Sequence, residues 1–105
     1  MKKYKIVVFT PVEYTQKILA AMGEAGAGVI GNYSNCSFSS RGTGRFLPSD
    51  KAKPFIGASG KLEEVEEDRI EMLCTEDKIE QVIVAMKVIH PYEEVAYDVY
   101  ALEDL

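Results

Sequence analysis

The run Tyr4-Lys5-Ile6-Val7-Val8-Phe9 constrains this chain most. It is rich in β-branched and aromatic residues, so it reads as a strand. Tyr4, Ile6 and Val8 fall on one face, Val7 and Phe9 on the other. A strand that is apolar on both sides needs cover on both sides.

The rest of the chain supplies the first of those covers. Thr10-Pro11-Val12-Glu13 has the form of a helix start: Thr10 as cap, Pro11 at the first helical position, and Glu13 as the acid of a capping box. Tyr14, Ile18 and Met22 then recur every four residues beside Leu19, and Gly23 and Gly26 are natural terminators. Ile30 to Ser40 reads as a second strand, with Cys36 and Phe38 alternating with polar residues. A third strand lies within Val65 to Cys74, where Ile70, Met72 and Cys74 share a face. Arg41 to Leu62 lacks periodicity and reads as a long loop, which in a small domain is usually functional or mobile. Thr75 caps a second helix whose apolar positions are Ile79, Val82, Ile83, Met86 and Ile89. His90-Pro91 ends it, because a residue before proline is pushed out of helical geometry. Val95 to Leu102 is the last strand.

The order β-α-β-β-α-β predicts an α+β fold of ferredoxin-like topology: a four-stranded antiparallel sheet with two helices on one face. The 105 residues read as one domain, 1–105. The sheet's other face is then open although several strands are apolar there, so a homo-oligomer is expected. A formal net charge of −5 argues against a protein built to neutralise nucleic-acid phosphates. No apolar stretch approaches the ~20 residues that span a bilayer, so no membrane partner is expected. No secretory signal follows the basic start, and the two cysteines have no CxxC spacing, so a cytoplasmic location with reduced thiols is the expectation.

The tail His90-Pro91-Tyr92-Glu93-Glu94-Val95-Ala96-Tyr97-Asp98 closely resembles the HPYEE-x-AYD signature of the CutA/PII-like domain inserted in Nif-three-like dinuclear-metal proteins. CutA proteins carry a shorter HPYE turn. Gly28 to Ser37, Gly42-Thr43-Gly44-Arg45-Phe46-Leu47-Pro48, Pro54-Phe55-Ile56-Gly57 and Glu67-Asp68-Arg69-Ile70-Glu71 are similar to family segments in the same order. The resemblance thus covers nearly the whole chain. It implies a CutA/PII-like fold, here as a stand-alone chain, and a tendency toward trimers. Full-length members carry their metal-binding histidines and carboxylates in flanking domains. This chain has one histidine, so that metal centre is not carried over to any residue here.

Three candidate sites follow. Arg41, Gly42, Gly44, Arg45, Lys51 and Lys53 make the long loop basic and glycine-rich, which suits an anionic effector or a protein partner. By the resemblance, the loop occupies the position of the PII effector and partner loop. The bland alternative is a solvated basic loop packing on a neighbouring subunit. His90 with Glu93 and Glu94 could hold a divalent ion, the one cofactor considered. Against it stands His90 as a helix-end residue beside the negative dipole end. Tyr92, Tyr97 and Tyr100 suit an interface, and equally suit ordinary sheet positions.

Other signals point to structure. Gly26-Ala27-Gly28-Val29-Ile30-Gly31 spells G-x-G-x-x-G, but it follows a helix and leads into a strand, the reverse of a dinucleotide site, so a turn is expected. Cys36 and Cys74 read as buried thiols on helix-facing positions of neighbouring strands. The acids from Glu63 to Glu71 read as a solvated face that protects a sheet edge. No catalytic residues are assigned. The reading is an oligomeric regulatory or interaction module, with a metal-binding protein and an enzyme with an intersubunit site as alternatives.

Overall fold

The computed structural model describes residues 1–105. Strands β1 (Lys3–Pro11), β2 (Phe38–Phe46), β3 (Glu63–Thr75) and β4 (Tyr97–Ala101) form one sheet in the order β2-β3-β1-β4. Every pairing is antiparallel. Helices α1 (Thr15–Ala25) and α2 (Ile79–Ile89) follow β1 and β3. This is the expected ferredoxin-like fold.

Alternation sorts the strand side chains. Ile6 and Val8 of β1, with Ile70, Met72 and Cys74 of β3, meet Ile18 and Met22 of α1 and Val82 and Met86 of α2 in the core. Each fully buried aliphatic side chain contributes about 1.5–3 kcal/mol, so this layer supplies most of the apolar stabilisation. The opposite face carries Lys5, Val7 and Phe9, flanked by Arg69, Glu71 and Leu73 of β3 and Tyr100 of β4. Val7 is fully buried there, whereas Phe38 and Tyr100 are exposed. The second face is therefore mixed rather than uniformly apolar: Arg69 pairs with Glu71 at 3.5 Å and lies over the Phe9 ring at 5.7 Å.

Several local expectations shift. The second strand is not Ile30 to Ser40. Ile30 and Tyr33 bridge each other in a small turn, and β2 begins at Phe38 because it pairs with β3 from Phe38↔Glu71 to Phe46↔Glu63. Arg41, Gly42, Gly44 and Arg45 thus lie in a strand, and the connection without regular structure shortens to residues 47–62. Cys36 sits before β2, its N–H donating to the Gly28 carbonyl, and is half-buried; only Cys74 is a buried strand thiol. Neither helix starts where its cap was expected. The Thr10 hydroxyl donates to the Pro11 carbonyl, and β1 runs on to Pro11. A 3-10 turn, Val12–Tyr14, follows before α1. Thr75 ends β3 and bonds Asp77, so α2 begins at Ile79. His90 does end α2, with extended geometry at φ −64°, ψ 131°.

The acidic run is the largest correction. β3 lies between two strands and protects no edge. Glu64 and Glu66 are exposed, but Glu67 and Asp68 are buried on opposite faces.

The G-x-G-x-x-G stretch is a helix-to-loop turn. Gly28 has φ +83° and donates its N–H to Leu73 O at 2.7 Å. A Cβ there would meet the Cys36 backbone at 2.7 Å and Met72 Cε at 2.8 Å. Replacement Gly28→Ala combines a left-handed backbone with overpacking and should cost about 2–4 kcal/mol. Urea unfolding of the two proteins measures the difference.

Candidate functional site

The carboxyl end of β1, the end of β2 and the start of β3 meet where residues 47–62 leave the sheet. A pocket of about 440 Å³ opens there. Phe9, Gly44, Arg45, Phe46 and Glu67 come from the sheet, residues including Leu47, Pro54, Phe55 and Ile56 from the connection, and Tyr92, Glu93, Glu94 and Ala96 from the turn after α2.

Its walls are held by specific contacts. Phe55 meets Tyr14 edge-to-face at 5.8 Å and lies 6.5 Å from Tyr92, which in turn lies 6.1 Å from Phe46. Lys53 N–H donates to Glu93 Oε1 at 2.8 Å, which ties the middle of the connection to the turn after α2, and Gly60 N–H donates to Pro48 O at 2.8 Å, which closes the connection on itself. On the floor, the Tyr92 hydroxyl donates to Glu67 Oε2 at 2.9 Å. Burial and this acceptor together push the Tyr92 hydroxyl pKa well above its ordinary value. The other carboxylate oxygen lies against Gly44. A Cβ at that position would come within 2.0 Å of it, so only glycine leaves the carboxylate room to lie across β2.

His90 orders the turn from behind. Tyr92 N–H can only donate, so His90 Nδ1 accepts it, at 3.2 Å. Nε2 therefore carries the proton and donates to Phe9 O at 2.8 Å. Burial lowers the His90 pKa, against smaller upward pulls from the Phe9 carbonyl and Glu67. On the helix face, Asp68 accepts the Thr15 hydroxyl at 2.6 Å and Arg41 Nε at 2.6 Å. The Arg41 hydrogen bond, then the Thr15 one, holds the Asp68 carboxyl below its ordinary pKa.

The predicted site residues divide accordingly. Arg41 is paired with Asp68 and Glu66, and Arg45 with Glu64 at 3.5 Å. Gly42 and Gly44 lie in β2 and form no anion nest; Lys51 and Lys53 are exposed outside the pocket wall. The six are not brought together around one ligand position. Both His90 nitrogens are engaged, Glu93 binds the Lys53 amide, and no group of three or more His, Cys, Asp or Glu side chains gathers as a metal cluster. Tyr92 is a pocket wall, Tyr97 packs at the margin of the core under Lys87, and Tyr100 is exposed on the second sheet face. Glu67, Phe46 and Phe55 carry the site, and residue type alone did not single them out.

Similarity to known proteins agrees with the fold. The chain is 54% identical over 99 residues to a "GTP cyclohydrolase 1 type 2 homolog" of Halalkalibacterium halodurans, covering 94% of this chain and 27% of that protein. It is 54% identical to the Bacillus subtilis protein of the same name, covering 94% and 26%. A Bacillus cereus protein related to NIF3 superposes with a TM-score of 0.86 at 50% identity, over 98% of this chain and 26% of its own. The chain is homologous to the CutA/PII-like region of Nif3-like proteins. It spans about a quarter of the length of those relatives. CutA of Archaeoglobus fulgidus (TM-score 0.71, 17% identity, 97% of this chain and 85% of that one) shares the fold. So does B. subtilis GlnK (TM-score 0.66, 16% identity, 97% and 86%). No family model matches the chain. No helix is long and apolar enough to cross a membrane.

A depressed histidine pKa has a definite pH signature. The unfolded chain takes up a proton below about pH 6.5 while folded His90 resists it, because Nδ1–H would face Tyr92 N–H. Stability is therefore full above that pH and declines as pH falls through the lower folded value. Urea midpoints between pH 7.5 and pH 5 should fall in the parent, and fall less in His90→Gln, which cannot titrate.

Proposed function

We propose that this Nif3-like domain is an oligomeric regulatory module whose 47–62 connection meets a ligand or a protein partner. One observation carries the reading. The connection is tied at Lys53 to the turn after α2, and lines an aromatic-walled pocket floored by a largely buried carboxylate. A purely structural loop has no need of such a cavity.

Assembly is the second half of the proposal. The sheet face away from the helices presents Phe38, Leu73 and Tyr100 around a buried Val7, with Lys5, Glu71 and Asp98 beside them. An apolar centre with interspersed charge suits a contact between copies. β2, a sheet edge with exposed side chains, can extend that contact through its free backbone groups. Three copies are proposed, in a cytoplasmic setting. A B. subtilis GlnK–ATP complex is among the structures that share the fold. Its phosphates would need cations, and of the basic set only Lys51 and Lys53 are without a carboxylate partner, so an anionic partner would be met outside the pocket.

Native mass spectrometry of the 11.7 kDa chain at micromolar concentration measures the assembly. A mass of three copies is expected. Phe38→Asp combined with Tyr100→Asp should return it to one copy while leaving the helix-side core folded. A single-copy mass for the parent protein would end the assembly half of this reading.

A further inference from the structure

We propose that the pocket selects a small organic cation, an ammonium or amidinium carried on an apolar body. This rests on reading the 47–62 connection as a ligand-binding element, and it adds the chemical class of the ligand.

Glu67 is the decisive group. It is 9% exposed, yet none of the chain's ion pairs involves it. A buried carboxylate without a cation is costly unless hydrogen bonds or a bound cation compensate. The Tyr92 hydroxyl satisfies Oε2 alone. His90, the nearest imidazole, is held neutral by its two hydrogen bonds and supplies no charge. Oε1 lies in the gap that Gly44 keeps free of a side chain, where it has no hydrogen-bond partner in the protein and is open to solvent.

The surroundings have the matching sign and shape. Charged residues lining the pocket are Glu67, Glu93 and Glu94 against Arg45 alone, and Arg45 already faces Glu64. That balance repels phosphates and carboxylates and draws cations. Phe46, Tyr92 and Phe55 form a continuous arc of rings with successive centroids 6.1 and 6.5 Å apart. A cluster of aromatic rings beside a carboxylate suits an organic ammonium group. The chain uses the same chemistry internally, where Arg69 sits over the face of Phe9. About 440 Å³ accommodates a ligand of roughly a dozen heavy atoms, with the charge at Glu67 and the body against the rings.

Probes with a shared phenylethyl body test this on the whole chain in its native assembly. Phenethylamine, 2-phenylethanol and 3-phenylpropanoate share a body and differ in charge. In ¹⁵N-resolved titrations, phenethylamine should move the Gly44, Phe55 and Tyr92 amides saturably, with a Kd at least tenfold below that of either other probe. Glu67→Gln retains an acceptor for Tyr92 and should weaken phenethylamine at least tenfold. Phe55→Ala, at an exposed position, should weaken it several-fold without affecting folding. Equal binding of 3-phenylpropanoate would overturn the proposal. So would an undiminished affinity in folded Glu67→Gln, or no saturable shift with phenethylamine or benzamidine up to about 20 mM. The assembly is read independently by native mass, so a failure of cation selectivity is distinguishable from a failure of oligomerisation.

Discussion

The register of β3 is the constraint from which the rest of the molecule follows. Thr10↔Asp68 with β1 and Gly42↔Glu67 with β2 set two consecutive acids on opposite faces. Asp68 turns toward the helices and binds Thr15 at the start of α1, with Arg41 reaching it from its paired position on β2. Glu67 turns the other way and becomes the pocket floor. A slip by one residue would exchange them. It would also carry Ile70, Met72 and Cys74 out of the core, so the cost of the wrong register is the loss of a large part of the helix-side layer. The apolar half of β3 thereby positions its acidic half, and packing energy at one end of the strand holds a charged group at the other.

Sequence periodicity reveals the parts of the fold in which one physical signal acts alone. The doubly apolar β1, the four-residue recurrence of α1 and the stripe of α2 are local patterns, and each element forms on those residues even though its ends shift. His90-Pro91 ends α2 for a reason contained in the dipeptide. The shifted elements are those where a tertiary contact outbids a local one. Thr10 is buried within β1, and Thr15 is recruited by Asp68, so the capping box expected from Thr10 to Glu13 does not form. β2 begins at Phe38 because the thirteen residues of β3 offer it a long partner, and two glycines in an edge strand do not prevent pairing.

The pocket is legible only once the topology is drawn. Asp68 continues the Ile70, Met72, Cys74 alternation by one step, which already places it on the helix face. A ferredoxin-like order makes β3 central, so its acids cannot all be edge residues. Those two facts together disclose Glu67 and Asp68. What stays hidden is Gly44 yielding space to Glu67, because a void beside a carboxylate leaves no mark in one sequence. The cation cluster of Arg41 and Arg45 misleads for the complementary reason. Strand pairing delivers a carboxylate to each of them. CutA and GlnK share the topology at 16–17% identity, so the fold is robust to almost every side chain, and function must be sought in sites such as this one.

The inward turn of Glu67 beneath Tyr92 is the claim on which both the pocket and its selectivity stand. Nuclear Overhauser contacts from the Tyr92 ring test it directly. Cross-peaks to the Glu67 side chain, to the Gly44 α protons and to the Phe46 and Phe55 rings are the predicted result. A Tyr92 ring that contacts only its neighbours along the chain, with none of these four, would contradict the account.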